Sequence, residues 1–495
     1  MWTPNPSAWS RSNGHLCAWL LAILVMLPAG GCNSSTSEDA PTVSQGQQAS
    51  SSDTHGESSI AADNGARESA TTGERPNVVL ISVDTLRADH LGCYGYDRPT
   101  SPALDRLANQ GAVFDDASAT SPWTLPSHAS LLTGLFPRHH GLLYYRPISR
   151  ISDFTLADLL AAQGYETAAF VNSMFLDRPY GFANGFDRFE YLREDTKSKM
   201  PSGIFAEARQ WLTRRRARPF FLFVHAYDVH SDYRSLPKYE QQFVGEYDGA
   251  VDGGTVQMAL LAREGQLDDD DVAHLVDLYD AGIRQFDDEL ERFLEQLQAE
   301  FEHTAIIVTS DHGEEFMDHG NVLHGRAHFQ EVIRVPLVIR APGIPPGTRI
   351  AEPVSIVDVV PTVLGLLGIE PPGNLDGLDL GQTWRSPAWT PPSRFLFSEA
   401  DHGTQRDGVQ LNGIKWTVRH DNFKMHYDRP TGRTELFDLA SDPHERVDVA
   451  GQETAAFMRL KDQLDRYLAG SRERPTSQPL SDEERRRLKT LGYAN

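Results

Sequence analysis

Three apolar runs, far apart in the chain, each end on residues that carry chemistry. The run 78–83 ends at Asp84; 220–224 ends at His225, with Asp228 and His230 close behind; 305–309 ends at Ser310-Asp311-His312-Gly313. Short apolar runs alternating with helical patterns predict an α/β fold with a largely parallel sheet. Ligands of open α/β sheets bind beyond the carboxyl ends of the strands. Packing alone does not explain carboxylates and imidazoles at that same edge three times. Between the runs, Ser101-Pro102 predicts a capped helix over 102–110, with proline at the first helical position. A shorter helix over 156–163 ends at Gly164. A long amphipathic one over 272–298 places Leu275, Tyr279, Ile283, Phe286, Leu290, Phe293 and Leu297 on one face. The acidic run from Asp268 to Asp271 reads as a solvated helix start rather than a second cation site. No internal repeat is present.

The N-terminus has the layout of an export signal. Arg11 precedes an apolar stretch over 16–27, and Pro28-Ala29-Gly30-Gly31-Cys32 supplies small residues before a cysteine. The stretch falls short of the about 20 residues that span a bilayer, and its flanks are those of a signal peptide. Its end is similar to a bacterial lipoprotein box, which makes 1–32 a signal segment and Cys32 the lipidated residue. An ordinary secretory signal is the alternative, since Ala29 stands where such boxes usually carry Leu. Residues 33–75 are rich in Ser, Thr, Gln, Gly, Ala and acidic residues, the composition of a tether. The expected location is outside the cytoplasmic membrane, periplasmic or outer surface of a bacterial cell envelope, with the N-terminal lipid as the only membrane anchor. A net charge of -23 argues against nucleic acid as a partner. Three cysteines are too few for a disulfide framework, and Cys93 reads as a buried small residue.

The segment Trp123-Thr124-Leu125-Pro126-Ser127-His128-Ala129-Ser130-Leu131-Leu132-Thr133-Gly134 resembles the nucleophile loop of the sulfatases, a branch of the alkaline phosphatase superfamily. That loop normally reads Cys or Ser-x-Pro-Ser-Arg-x-x-Leu-Leu-Thr-Gly, and its Cys or Ser is oxidised to formylglycine. Here Thr124 holds the nucleophile position and His128 the Arg position. Threonine cannot become formylglycine, so none is expected. Val357-Asp358-Val359-Val360-Pro361-Thr362-Val363-Leu364 resembles the family's Asp-x-x-Pro-Thr-x-Leu helix. Glu435-Leu436-Phe437-Asp438-Leu439 with Asp442-Pro443-His444-Glu445 resembles its C-terminal strand and turn. The resemblance implies a sulfatase-like sandwich: a large, mostly parallel central sheet flanked by helices, plus a small C-terminal β-sheet subdomain. The core would occupy 76–348, the rest of the catalytic domain and the subdomain 349–470. A polar tail follows over 471–495, with Arg485-Arg486-Arg487 in a solvated helix.

The same resemblance makes Asp84, Asp311 and His312 ligands of one divalent metal ion, with the Thr124 hydroxyl completing the shell. Many sulfatases carry two adjacent Asp residues at the first strand; here the second is Thr85. Losing a hard anionic ligand weakens the case for calcium, and manganese, zinc and calcium all stay open. Thr124 precedes a helix start at Ser127, where N–H donors favour a tetrahedral anion; the alternative is that Thr124 merely caps that helix. His230 matches a family histidine that binds the ester oxygens or protonates the leaving group, and His324 falls where relatives oppose the substrate anion with Lys or His. His128 is placed with them as catalytic. Where the family commonly shows Gly-Lys-x-His, this chain reads Val171-Asn172-Ser173-Met174; two cationic donors are gone, and Asn172 becomes the substrate-binding candidate. His225, His319 and His328 stay undecided.

The expected activity is metal-dependent hydrolysis of a sulfate or phosphate ester on a small molecule, glycan or lipid. Thr124 favours phosphodiesters or phosphonate esters, and the overall pattern favours sulfate esters. The alternatives are an inactive lipid-anchored binding protein on the same scaffold, or a phosphoglycol transferase.

Overall fold

The computed structural model describes residues 75–470, apart from 144–149, 152, 194–202, 215–217, 387, 401–404, 407–408, 411–414 and 430. The expected signal segment with Cys32, nearly all of the tether and the polar tail lie outside the described residues.

Eight strands build the main sheet: β1 Asn77–Val83, β2 Ala112–Phe114, β3 Glu166–Val171, β4 Arg188–Tyr191, β5 Phe220–Ala226, β6 Thr304–Ser310, β7 Leu337–Arg340 and β8 Thr348–Ile350. Their spatial order is β8-β2-β7-β6-β1-β5-β3-β4. Strands β6, β1, β5, β3 and β4 pair in parallel, as do β8 and β2. Strand β7 runs antiparallel to both of its neighbours and against the rest of the sheet. The three predicted strands are present, each a residue or two longer than its apolar run.

Helices cover both faces, which is why the central strands read as unbroken apolar runs instead of alternating ones. The helices are α1 Pro102–Asn109, α2 Thr124–Thr133, α3 Leu156–Ala162, α4 Ile204–Arg214, α5 Asp269–Glu300 and α6 Val359–Leu366. Val78, Leu80, Phe221 and Phe223 pack with α2, α3 and α6. The alternate residues Val79, Ile81, Leu222 and Val224 pack with α1, α4 and α5.

Helix α5 starts three residues before the predicted bound, because Asp268 and Asp271 form a reciprocal capping box that turns the acidic run into its first turn. Its apolar face is buried as expected. The cap of α1 differs from expectation. Ser101 makes no side-chain cap bond; instead the buried Asp287 of α5 accepts from the N–H groups of Ala103 at 2.8 Å and Leu104 at 2.9 Å.

The C-terminal subdomain is an antiparallel sheet of β9 Leu396–Ala400, β10 Lys415–His420, β11 Phe423–Asp428 and β12 Arg433–Asp438, in that order. Its core of Trp416, Val418, Met425 and Leu436 packs against Leu460 and Leu464 of α7 Thr454–Ala469. Among the described residues no helix is long and apolar enough to cross a membrane.

Candidate metal centre and ester site

Asp84 follows β1 directly and Asp311 follows β6. These strands are neighbours in register, with Val83 opposite Ser310, so the two carboxylates emerge side by side. Asp84, Asp311 and His312 are fully buried, and one ligand atom from each lies within 4.8 Å of the others. His312 Nε2 is 3.3 Å from Asp311 Oδ2 and 3.6 Å from Asp84 Oδ1. Its Nδ1 donates to the Gly313 carbonyl at 2.9 Å, which leaves Nε2 with its lone pair toward the carboxylates, the tautomer a metal requires. None of the four carboxylate oxygens, nor His312 Nε2, makes a hydrogen bond of good geometry. Burying two carboxylates without a hydrogen bond of good geometry is costly; burial alone would raise Asp311, but the imidazoles of His312 and His128 hold it below its ordinary range. Burial, then the charge of Asp311, pushes the Asp84 carboxyl up from its ordinary range. A divalent cation reverses both penalties, so these residues fit one.

The loop that presents Asp311 and His312 is packed too tightly for a side chain at Gly313, whose added Cβ would fall 2.0 Å from the Glu331 carbonyl oxygen. The turn after β1 is held by Tyr279 of α5, which donates to the Thr85 carbonyl at 2.7 Å and accepts from Arg87 N–H at 2.9 Å. Thr85 itself sits at φ +60, a conformation costly for a β-branched residue.

Thr124 is the first residue of α2, and the N-cap position belongs to Trp123. Two bonds clamp this first turn to the loop that carries Asp311 and His312. Ser127 Oγ donates to the Asp311 carbonyl at 2.6 Å. His128 Nδ1 lies 2.9 Å from the Thr124 carbonyl oxygen and 3.3 Å from Asp311 Oδ2. His128 is fully buried, with Nε2 on Ser82 Oγ at 2.9 Å.

His324 and His230 stand together beside this cluster. Their ring centroids are 4.9 Å apart, and His324 lies 4.5 Å from His312. Glu314, fully buried and unassigned from sequence, accepts from His324 Nδ1 at 2.9 Å. Burial disfavours charge on His324, but the Glu314 carboxylate outweighs it and raises the imidazole to about 9. Burial pushes His230 the other way, below its ordinary value. Its Nδ1 is tied to the Ser231 carbonyl at 2.6 Å, and Tyr227 stacks on the ring at 4.1 Å.

The undecided histidines separate. His225 joins the site: Nε2 is 3.3 Å from Asp84 Oδ2, and Nδ1 is 3.2 Å from Asn172 Oδ1. Asn172 is buried against that imidazole. The signal for His225 was its phase, since it shares the α2-facing alternation of Phe221 and Phe223 and stands in register with Ser82. His319 and His328 line a different cavity of about 580 Å³ at the C-terminal sheet, and His319 bonds Glu331 at 2.6 Å. Cys93 is half-buried instead of buried; burial, then Asp105, pushes its thiol up and away from reactivity.

The profile of the family described as Sulfatase matches residues 76–369. A second profile, described as the C-terminal part of N-sulphoglucosamine sulphohydrolase, matches 318–473. An ulvan-active sulfatase of Formosa agariphila is 25% identical over 437 residues, covering 80% of this chain and 80% of that protein. A multifunctional alkaline phosphatase superfamily protein of Trinickia caryophylli is 27% identical over 483 residues, covering 78% and 93%. The crystal structure of a phosphonate monoester hydrolase of Agrobacterium radiobacter superposes with a TM-score of 0.67 at 22% identity, covering 83% of this chain and 99% of that one.

Proposed function

The chain belongs to the sulfatase family of ester hydrolases, and on that premise we propose that it cleaves a sulfate or phosphate ester with Thr124 as nucleophile and one divalent cation held by Asp84, Asp311 and His312. The observation that carries this reading is the buried cluster whose inward atoms lack hydrogen-bond partners, clamped to the turn that starts at Thr124. When bound, the cation would withdraw charge from the ester oxygens and favour ionisation of the attacking hydroxyl.

Thr124 Oγ1 bonds to sulfur or phosphorus as the bond to the leaving alcohol breaks, and its own proton is lost to solvent. His230 passes a proton to the leaving oxygen in its charged form; with Nδ1–H tied to the Ser231 carbonyl, Nε2 is the atom that delivers it, and because burial disfavours that charge the step weakens as pH rises. Water then bonds to sulfur or phosphorus, and its two protons restore Thr124 and His230. His324, kept protonated by Glu314, meets the anionic ester oxygens, and the N–H groups opening α2 favour the same charge. Threonine in place of an oxidisable residue supports a phosphodiester or phosphonate ester over a sulfate ester. The mixed carboxylate and imidazole set supports manganese or zinc over calcium. Cys32 and the small residues before it support export and lipid anchoring, which loss of the protein from the membrane fraction in Cys32→Ala would test.

The deciding experiment compares aryl sulfate, aryl phosphate monoester and aryl phosphodiester with the full chain, each with manganese, zinc or calcium, beside Thr124→Ala. Diester turnover that disappears in the variant is the expected result. Turnover that survives in Thr124→Ala removes Thr124 from the mechanism, and absence of turnover on every ester favours a binding protein.

A further inference from the structure

Each buried carboxylate of the metal centre has a second imidazole against it, beyond that of His312. His225 Nε2 stands 3.3 Å from Asp84 Oδ2, while His312 approaches the other oxygen, Oδ1, at 3.6 Å. His128 Nδ1 stands 3.3 Å from Asp311 Oδ2. Each of these imidazoles is anchored in turn by a neutral side chain: His225 Nδ1 by Asn172 Oδ1 at 3.2 Å, His128 Nε2 by Ser82 Oγ at 2.9 Å. The two rings meet edge to face at 4.9 Å. All four residues are buried, and the sheet dictates their convergence. Ser82 and His225 are register partners on β1 and β5, Asn172 follows β3 on the far side of β5, and His128 comes from α2 above that face.

We propose that His225, held by Asn172, is a positioning residue of the cation site that fixes the outer oxygen of Asp84, as His128 with Ser82 fixes Asp311. The proposal rests on the cation reading given above. A carboxylate with one oxygen on a cation and the other free can rotate out of its ligating geometry. An imidazole packed 3.3 Å from the second oxygen limits that rotation and orients the ligand. Asp84 is suited to this arrangement, because its two oxygens face different histidines. The assignment also gives Asn172 a place behind the metal centre instead of against the ester.

Wild type, His225→Ala, His225→Gln, Asn172→Ala and Asp84→Ala, all as the full chain, are titrated with zinc and cobalt(II) in competition with a chelator. The cobalt absorption spectrum and the melting temperature of the cation-free protein are recorded for each. Loss of an outer partner of a metal ligand typically weakens binding about 10–100-fold. That loss is expected for His225→Ala, with the cobalt spectrum shifted but present, a smaller loss for Asn172→Ala, and recovery in His225→Gln, whose amide can still fill the place beside Asp84. A purely structural histidine would lower the cation-free melting temperature and leave cation affinity of the folded protein unchanged, which overturns the proposal. Complete loss of binding in His225→Ala, equal to Asp84→Ala, also overturns it by making His225 a direct ligand. If wild type itself binds no stoichiometric cation, the cation reading falls and this inference with it; wild-type binding with an unaffected His225→Ala sinks the inference alone.

Discussion

Two regions of this molecule bury charge, and they do so in opposite ways. At the seam with the C-terminal sheet, Lys424 is 2% exposed yet fully partnered: Nζ donates to the His328 carbonyl, to Gln330 Oε1 at 3.1 Å and to Glu445 Oε2 at 3.2 Å. Glu445 in turn accepts from His426 Nε2 at 2.9 Å and Gln330 N–H at 2.7 Å. At the metal centre, Asp84 and Asp311 are buried as deeply, but their oxygens find no hydrogen bond of good geometry. A buried charge closed by its own chain is a strut, whereas one left open to another buried charge of the same sign is built for something that arrives later. Burial alone does not distinguish the two; the inventory of partners does.

If that contrast is right, damage at the metal centre removes chemistry and spares the fold, while damage at the seam does the reverse. The largest effect belongs to Thr124→Ala. On the proposed mechanism Thr124 is the covalent nucleophile, and its loss should reduce kcat by a factor on the order of 10⁴ or more, with the denaturant midpoint within error of wild type. A variant that keeps a tenth of the activity would show that Thr124 only opens α2. The seam counterpart is Lys424→Ala, which leaves Glu445 buried without its cation. Breaking such a pair costs about 3–5 kcal/mol, read as a lower midpoint in urea unfolding. Cation affinity and kcat of the folded protein should stay unchanged; a parallel fall in cation affinity would mean that the two regions are coupled.

The sequence made one side of this contrast far more legible than the other. Asp84 and the Asp311-His312 pair end apolar runs, a local pattern that survives without knowledge of pairing. Thr124 lies in a motif whose residues are contiguous. Lys424 gave no such signal, and Glu445 stood only within the resemblance of the C-terminal turn, because what makes them a strut is the chain from His328 to Gln330, brought to Lys424 from nearly a hundred residues away. Glu314 went unassigned and His225 undecided for a related reason. Glu314 has meaning only once a short ribbon places His324 beside it, and His225 only once β1 and β5 are in register. The reversed direction of β7 was illegible too, since a four-residue apolar strand reads the same either way.

A smaller effect sharpens the comparison inside the site. His324 is raised to about 9 because Glu314 offsets its burial. A raised imidazole is charged below that value and loses its charge above it, so wild-type kcat/KM on a nitrophenyl ester, whose leaving group needs no proton from His230, should fall as pH rises through about 9. Glu314→Gln removes the offsetting charge and should move that alkaline limb down by about 1–3 pH units. A limb that stays in place would separate His324 from the reaction.

The smallest expected effect tests whether the strut is needed as charge at all. Lys424→Met combined with Glu445→Gln removes both charges together, while Gln keeps an acceptor for the Gln330 N–H and a polar partner for His426. Replacing a buried pair as a unit is often close to neutral, because desolvation of both ions is no longer required. The double variant should therefore lie within about 1–2 kcal/mol of wild type, well above Lys424→Ala, in a double-mutant cycle. On the proposed cation reading, a neutral pair in place of Asp84 and Asp311 should abolish cation binding, because there the charge would serve the ligand and not the chain. If the double variant is as unstable as the single one, the seam depends on the shape of its hydrogen bonds and not on pairing of charge. The distinction between closed and open burial would then rest on geometry alone.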